Sequence, residues 1–307
     1  MTIQEMSERI AQLKKEKNAV ILAHYYTRPE VQDVADYLGD SLGLSQEAGK
    51  TDADIIVFCG VHFMAETAAI ISPNKKVLIP ELGAGCSLAD AVTGAELKEW
   101  KDEHPNGLVV SYVNTTADTK AYTDVCCTSA NALDVIKAMP EDKEILFAQD
   151  DHLGSWIQKV TGRKMVLWNG CCCVHHIVDG DMVIAAAERY PDADILIHPE
   201  SKCSSDDRVL AMDNAYFYST AGMVKHAKES EKSRFVIATE LGTIHKLQLD
   251  NPGKEFIPID ERLICSEMKK VTLQGVLNAL ENEQYQVTID EPMRKAAVKS
   301  IDAMLNL

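Results

Sequence analysis

Long apolar runs are absent, and no window of the 307-residue chain approaches the roughly 18 consecutive apolar residues a membrane span needs. The opening residues, MTIQEMSERIAQLKKEK, mix both charges without an apolar stretch, so no signal peptide is expected and the expected compartment is cytoplasmic. Positive charge is in deficit, with 31 Lys and Arg against 47 Asp and Glu and a formal net charge of −16. A field of that sign repels nucleic acid and anionic membrane, so neither is expected as a partner. Any anionic substrate must be held by local donors. Compact C-x-x-C pairs are missing, which argues against a structural zinc site closed by four ligands. In a chain that reads as cytosolic, nine cysteines point away from a disulfide framework and towards metal ligation or reactive thiols. Cys59, at the end of the apolar run DIIVF, reads as a buried small hydrophobe.

What is present is a parallel α/β pattern written three times. Hydrophobic residues make up 46% of the chain and charged residues 25%, the balance of a globular protein, and the length suits about two to three domains. Three runs read as a first strand: residues 19–26, 108–114 and 193–200. A Ser- or Thr-started helix pattern follows each, from Asp40, Thr128 and Ser219. Second strands (DIIVFCG, EILFAQD, RFVIATE) and third strands (KVLIPE, KMVLWNG, EFIPID) complete each unit, and every third strand leads into a cysteine. The register is regular: His24 and Tyr112 are 88 residues apart, Tyr112 and His198 are 86 apart, and Cys86 and Cys172 are also 86 apart. This predicts three βαβαβ units, each a three-layer α/β/α sandwich with right-handed crossovers. The expected divisions are 1–88 with 266–307, 89–175, and 176–265. The tail, with the helix pattern TLQGVLNALEN, a short strand YQVTID and a last helix from Glu291, is expected to pack on the first unit.

Ligands of parallel α/β sheets bind beyond the carboxyl ends of the strands. There each first strand carries a polar pair two residues apart, on one side if the strand continues: His24 and Tyr26, Tyr112 and Asn114, His198 and Glu200. Ser41, Ser129, Ser219 and Thr220 fall where helices should begin, positions that suit N-capping and anion binding alike. Each unit also supplies a cysteine at equivalent positions: Cys86, one of Cys171 to Cys173, and Cys265. Around a pseudo-threefold axis three such thiolates can meet. Iron–sulfur clusters take thiolates, and three on a four-iron cluster leave one iron open as a Lewis acid.

The ordered motifs HYY, GDSL, SYVN, CTSAN, NG-x-C-x-VH, HPE, YSTAGM, TE-x-G-x-IHKL and C-x-x-MKK resemble the quinolinate synthases over essentially the whole chain. The resemblance implies three similar α/β/α domains about a pseudo-threefold axis, with the active site and a [4Fe-4S] cluster at the centre. It implies Cys86, Cys172 and Cys265 as the cluster ligands. His24, Ser41, Tyr112, Asn114, Ser129, His198, Glu200, Ser219 and Thr220 would surround the substrate. Tyr26, on a lid segment, would join Tyr112, His198 and Glu200 in the acid–base set. The implied reaction condenses iminoaspartate, from an aspartate oxidase or dehydrogenase, with dihydroxyacetone phosphate. The chain departs from the family pattern at Cys171 and Cys173, which flank the implied ligand, at Cys203 after HPESK, and at Met268, where some members carry a further cysteine. A redox-switch disulfide at that end is therefore not expected. Two rivals lie outside this reading. An electron carrier on the same cysteines would not need the polar pairs, and a cluster-free aldolase would need a strand-end lysine, for which Lys246 is the nearest candidate.

Overall fold

The apolar runs become the six central strands: Ala19–His24, Ile55–Cys59, Leu108–Tyr112, Ile145–Ala148, Asp194–Ile197 and Arg234–Ala238. Nearly every residue in them is buried, as parallel strands covered on both faces require. They pair in parallel twos, with Ala19 opposite Ile55, Leu108 opposite Ile145, and Phe235 opposite Asp194. Lys76–Leu78, Val166–Leu167 and Glu255–Pro258 flank one side of each pair. The computed structural model describes all residues, 1–307.

Each sheet has a further strand that the periodicity did not predict: Tyr37–Gly39, Val125–Cys127 and Ala215–Phe217. These are three-residue edge strands hydrogen-bonded to the first strand of their unit. The three sheets thus share one topology: unit strand two, one, three, four. Helices cover them to give an α/β fold of three like α/β/α sandwiches in a pseudo-threefold arrangement. The first strands are shorter than expected, so His24 and Tyr112 close their strands while Tyr26, Asn114, His198 and Glu200 lie in the loops just beyond.

Helix starts also differ from expectation. Asp40, not Ser41, caps Ser41–Lys50, its Oδ1 accepting from Gly43 N at 3.0 Å. The second unit's helix begins at Ala132 with Asn131 as its N-cap, so Ser129 sits ahead of it in a turn. Only Ser219 fills the capping role, its Oγ accepting from Gly222 N at 3.2 Å.

The tail adds Gln286–Val287 antiparallel to Lys76–Leu78, and Leu273–Asn282 packs beside Ile3–Glu16. It does more than cover the first unit. Glu291–Leu305 lies against Ala117–Ala121 and Val125–Cys127 of the second, and Ser300 Oγ donates to Lys120 O at 3.0 Å. No helix is long and apolar enough to cross a membrane.

Ile301 of that last helix is fully buried in the core around the first sheet. Ile301→Ala should therefore lower stability by about 2–5 kcal/mol, read as a shift in the denaturant midpoint. A loss under about 1 kcal/mol would mean the tail is only loosely attached.

Candidate active site

The carboxyl ends of all three sheets open on one central cavity, an empty volume of about 840 Å³ that includes open solvent. Every residue expected as a cluster ligand, in the acid–base set or around the substrate lines it except Ser219. Ser219 lies on an adjoining groove that also touches Ser129. Cys203 is buried in the third unit's core, and Lys246 pairs with Asp250 at 2.7 Å, so neither reaches the cavity wall.

Two histidines are set by the same local device. Tyr26 N donates to His24 Nδ1 at 3.1 Å, and Glu200 N donates to His198 Nδ1 at 3.4 Å. Each backbone N–H two residues on thus fixes a tautomer with the proton on Nε2, and that of His198 donates to Ser129 Oγ at 3.2 Å. Burial, the largest influence, lowers both imidazoles to about 3 against the pull of Glu200, so both are neutral donors near pH 7.

Glu200 is buried and charged. Burial pushes its carboxyl up, but the hydrogen bond from His175 and the Tyr112 phenol outweigh this and hold it below the usual carboxylate range. His175 Nδ1 donates to Glu200 Oε2 at 2.7 Å, and its ring stacks on that of His198 with centroids 4.3 Å apart. Its Nε2 then accepts from Thr239 Oγ1 at 2.9 Å, which accepts from Tyr26 OH at 2.7 Å. A continuous hydrogen-bonded chain therefore links Tyr26 to Glu200. Burial and the nearby Glu200 raise both phenols, Tyr26 and Tyr112, which keep their protons. His175 and Thr239 were not expected at the site, although His175 stands in the NG-x-C-x-VH motif and Thr239 in TE-x-G. Asn114 Oδ1 and Glu200 Oε1 are buried without a hydrogen-bond partner, and both residues line the cavity.

Cys86, Cys172 and Cys265 line the same cavity as free thiols, and Cys86 lies close enough to both others for their ionisations to oppose one another. Carboxylates hold their loops. Asp150 Oδ2 accepts from Cys172 N at 3.3 Å and Glu240 Oε1 from Cys265 N at 3.1 Å, the two acids standing at equivalent strand ends. Glu267 Oε2 accepts from Gly85 N at 2.9 Å, beside Cys86. Burial raises all three thiols, Cys86 to about 12. Only a strongly cationic centre makes three such groups thiolates together, so the donor set fits a thiolate-bound metal centre. The ligating atoms of Cys172, His175 and Glu200 also lie within 4.8 Å of one another, but His175 and Glu200 are already bonded to each other.

Three like parallel sheets that join their strand ends in one cavity, with acid–base groups and thiols on its wall, define an α/β protein with one shared central site. Residues 8–306 match the family profile described as Quinolinate synthetase A protein. The chain belongs to that family. It is 50% identical over 302 residues to the quinolinate synthase of Pyrobaculum aerophilum, covering 97% of this chain and 98% of that one. The Thermus thermophilus quinolinate synthase is 47% identical over 98% of this chain and 96% of its own length. That of Trichodesmium erythraeum is 46% identical over 99% and 94%.

The imidazoles make the metal-free protein acid-sensitive. Between an ordinary pH of 6.5 and about 3, the unfolded chain protonates His24 and His198 and the folded chain does not. The unfolded state binds more protons there, so stability falls as pH falls, and Glu200 adds to the loss below 4.5. The denaturant midpoint should drop from pH 7.5 to pH 5, and His198→Gln should flatten the slope. A midpoint that rises on acidification contradicts the assignment.

Proposed function

We propose that the chain catalyses the quinolinate synthase reaction, joining iminoaspartate to dihydroxyacetone phosphate with release of phosphate and two waters, as a step of NAD biosynthesis. The observation that carries this reading is the convergence of one free cysteine from each repeat on the cavity that holds Glu200, His198 and the tyrosines. Cys86, Cys172 and Cys265 would hold a [4Fe-4S] cluster. When bound, it supplies an iron without a protein ligand, a Lewis acid towards hydroxyl and carboxylate oxygen.

The remaining chemistry belongs to the side chains. His24 and His198 are neutral and present Nε2–H donors that orient carboxylate oxygens without adding charge. Glu200, ionised and with one oxygen unpartnered, is the base that takes a proton from substrate carbon or nitrogen. Tyr26 and Tyr112 keep their protons and serve as acids, Tyr26 being resupplied through Thr239. Ser41, Ser129 and Thr220 bind carboxylate and phosphate oxygens, and Asn114 orients the ligand. Ser219 acts through the helix it caps. The same reading divides the chain at 88/89, 175/176 and 265/266, places it in the cytoplasm, and draws iminoaspartate from an aspartate oxidase or dehydrogenase.

Two experiments test this. Cys86→Ser, Cys172→Ser and Cys265→Ser should each abolish cluster assembly with the fold kept, judged by iron and sulfide content after anaerobic purification and by circular dichroism. Cys171→Ser, Cys173→Ser and Cys203→Ser should keep the cluster. If Cys172→Ser retains full iron and Cys171→Ser or Cys173→Ser does not, the ligand is misassigned.

The second is a titration of the anaerobic holoprotein with quinolinate, followed by Mössbauer spectroscopy. An open iron should shift on binding, and Asn114→Ala should weaken binding about ten- to a hundredfold. A cluster unmoved at saturating quinolinate favours the electron carrier instead.

A further inference from the structure

Outside the cavity, a second group of soft donors meets on the other side of the triple-cysteine loop. His152 is the second residue of the helix Asp151–Thr161, His176 lies in the short helical turn His175–Ile177, and Cys171 precedes that turn. Their ligand atoms lie within 4.8 Å of one another. The two imidazoles stack with centroids 5.1 Å apart, and His152 Nε2 faces His176 Nδ1 at 2.8 Å. Two ring nitrogens aimed at each other share one proton at most, and a thiol stands beside them.

We propose that His152, Cys171 and His176 bind a zinc ion with its fourth position open to solvent. Imidazole and thiolate together select a late first-row divalent ion over magnesium or calcium. Zinc bonds of about 2.0–2.1 Å to nitrogen place two tetrahedral ligands roughly 3.3 Å apart, so the two nitrogens must part by about half an ångström and both rings must turn their lone pairs from each other to the ion. The independent sign is Asp151. Its Oδ1 is buried, has no hydrogen bond, and lies 3.2 Å from His152 Nδ1. A small turn of the His152 ring, which metal entry requires, completes that bond. It fixes the proton on Nδ1 and leaves Nε2 free to ligate, the usual carboxylate–histidine support of a metal site. Binding displaces one proton, from the Cys171 thiol, while the proton on His176 sits on its other nitrogen. Lys202 is the nearby cation that opposes the ion, against a chain of net charge −16. The site does not depend on the proposed reaction.

The test uses the anaerobically purified, cluster-loaded protein, equilibrated with zinc against a competing chelator and assayed by elemental analysis. One zinc per chain should bind beyond the iron, and zinc-edge X-ray absorption should give one sulfur and two imidazole nitrogens. Cys171→Ala and His176→Ala should lose this zinc, and Asp151→Asn should weaken it about ten- to a hundredfold. Cys173→Ala should bind as the parent does. Circular dichroism guards against misfolding of the variants. No zinc in the parent protein, a shell without sulfur, or equal affinity in Cys171→Ala overturns the site.

Discussion

The contacts of Asp150, Glu240 and Glu267 with backbone N–H groups at or beside Cys172, Cys265 and Cys86 govern the centre of the molecule. Backbone N–H groups two and three residues on also reach each sulfur, and the carboxyl contacts fix the loops from which the three thiols face one cavity. A carboxylate accepting a main-chain N–H fixes the loop rather than the side chain, so the sulfur stays free to ligate. Glu240 extends this control: it bonds Gly242 N and pairs with Lys269 at 2.8 Å, and Lys269 Nζ donates to Tyr26 O at 2.6 Å. One buried acid thus ties a cysteine loop to the segment that carries Tyr26.

A strongly acidic chain has no field to offer an anionic substrate, and the cavity resolves this locally. The His24 and His198 imidazoles on its wall are neutral, so they donate hydrogen bonds without asking to be charged in a dry site. The buried charge of Glu200 is held by His175 and faced by Tyr112, which spreads its cost over several donors. Its second oxygen and Asn114 Oδ1 remain free. Unsatisfied acceptors at this depth are costly unless a ligand meets them.

Much of this was legible in the sequence because the repeat couples two signals of different kinds. Apolar runs marked the central strands, and the cysteines and strand-end polar residues kept the same period. The edge strands were not legible: YLG, VCC and AYF are three residues each, partly exposed, and pair on one side only, so no alternation can develop. Ser129 was misplaced because Thr128, Ser129 and Asn131 are all plausible caps, and only the backbone chooses Asn131. His175 and Thr239 were overlooked because their role arises from a chain of bonds across units, from Tyr26 to Glu200. Spacing within one unit carries no trace of that.

Using one unit three times also explains how a site can be both symmetric and specific. The backbone repeats, so the thiol loops arrive at equivalent places. The residues at the ends of the first strands are free to differ: His and Tyr, then Tyr and Asn, then His and Glu. The shared geometry suits a symmetric metal centre, and the varied pairs suit an asymmetric organic substrate. The imidazoles show how far the two are linked. His24 and His198 take the same backbone N–H from two residues on, in different units, yet only His198 stands beside a carboxylate and a stacked second histidine. The fold supplies the orientation, while Glu200 from the same unit and His175 from its neighbour set the surroundings of His198 alone.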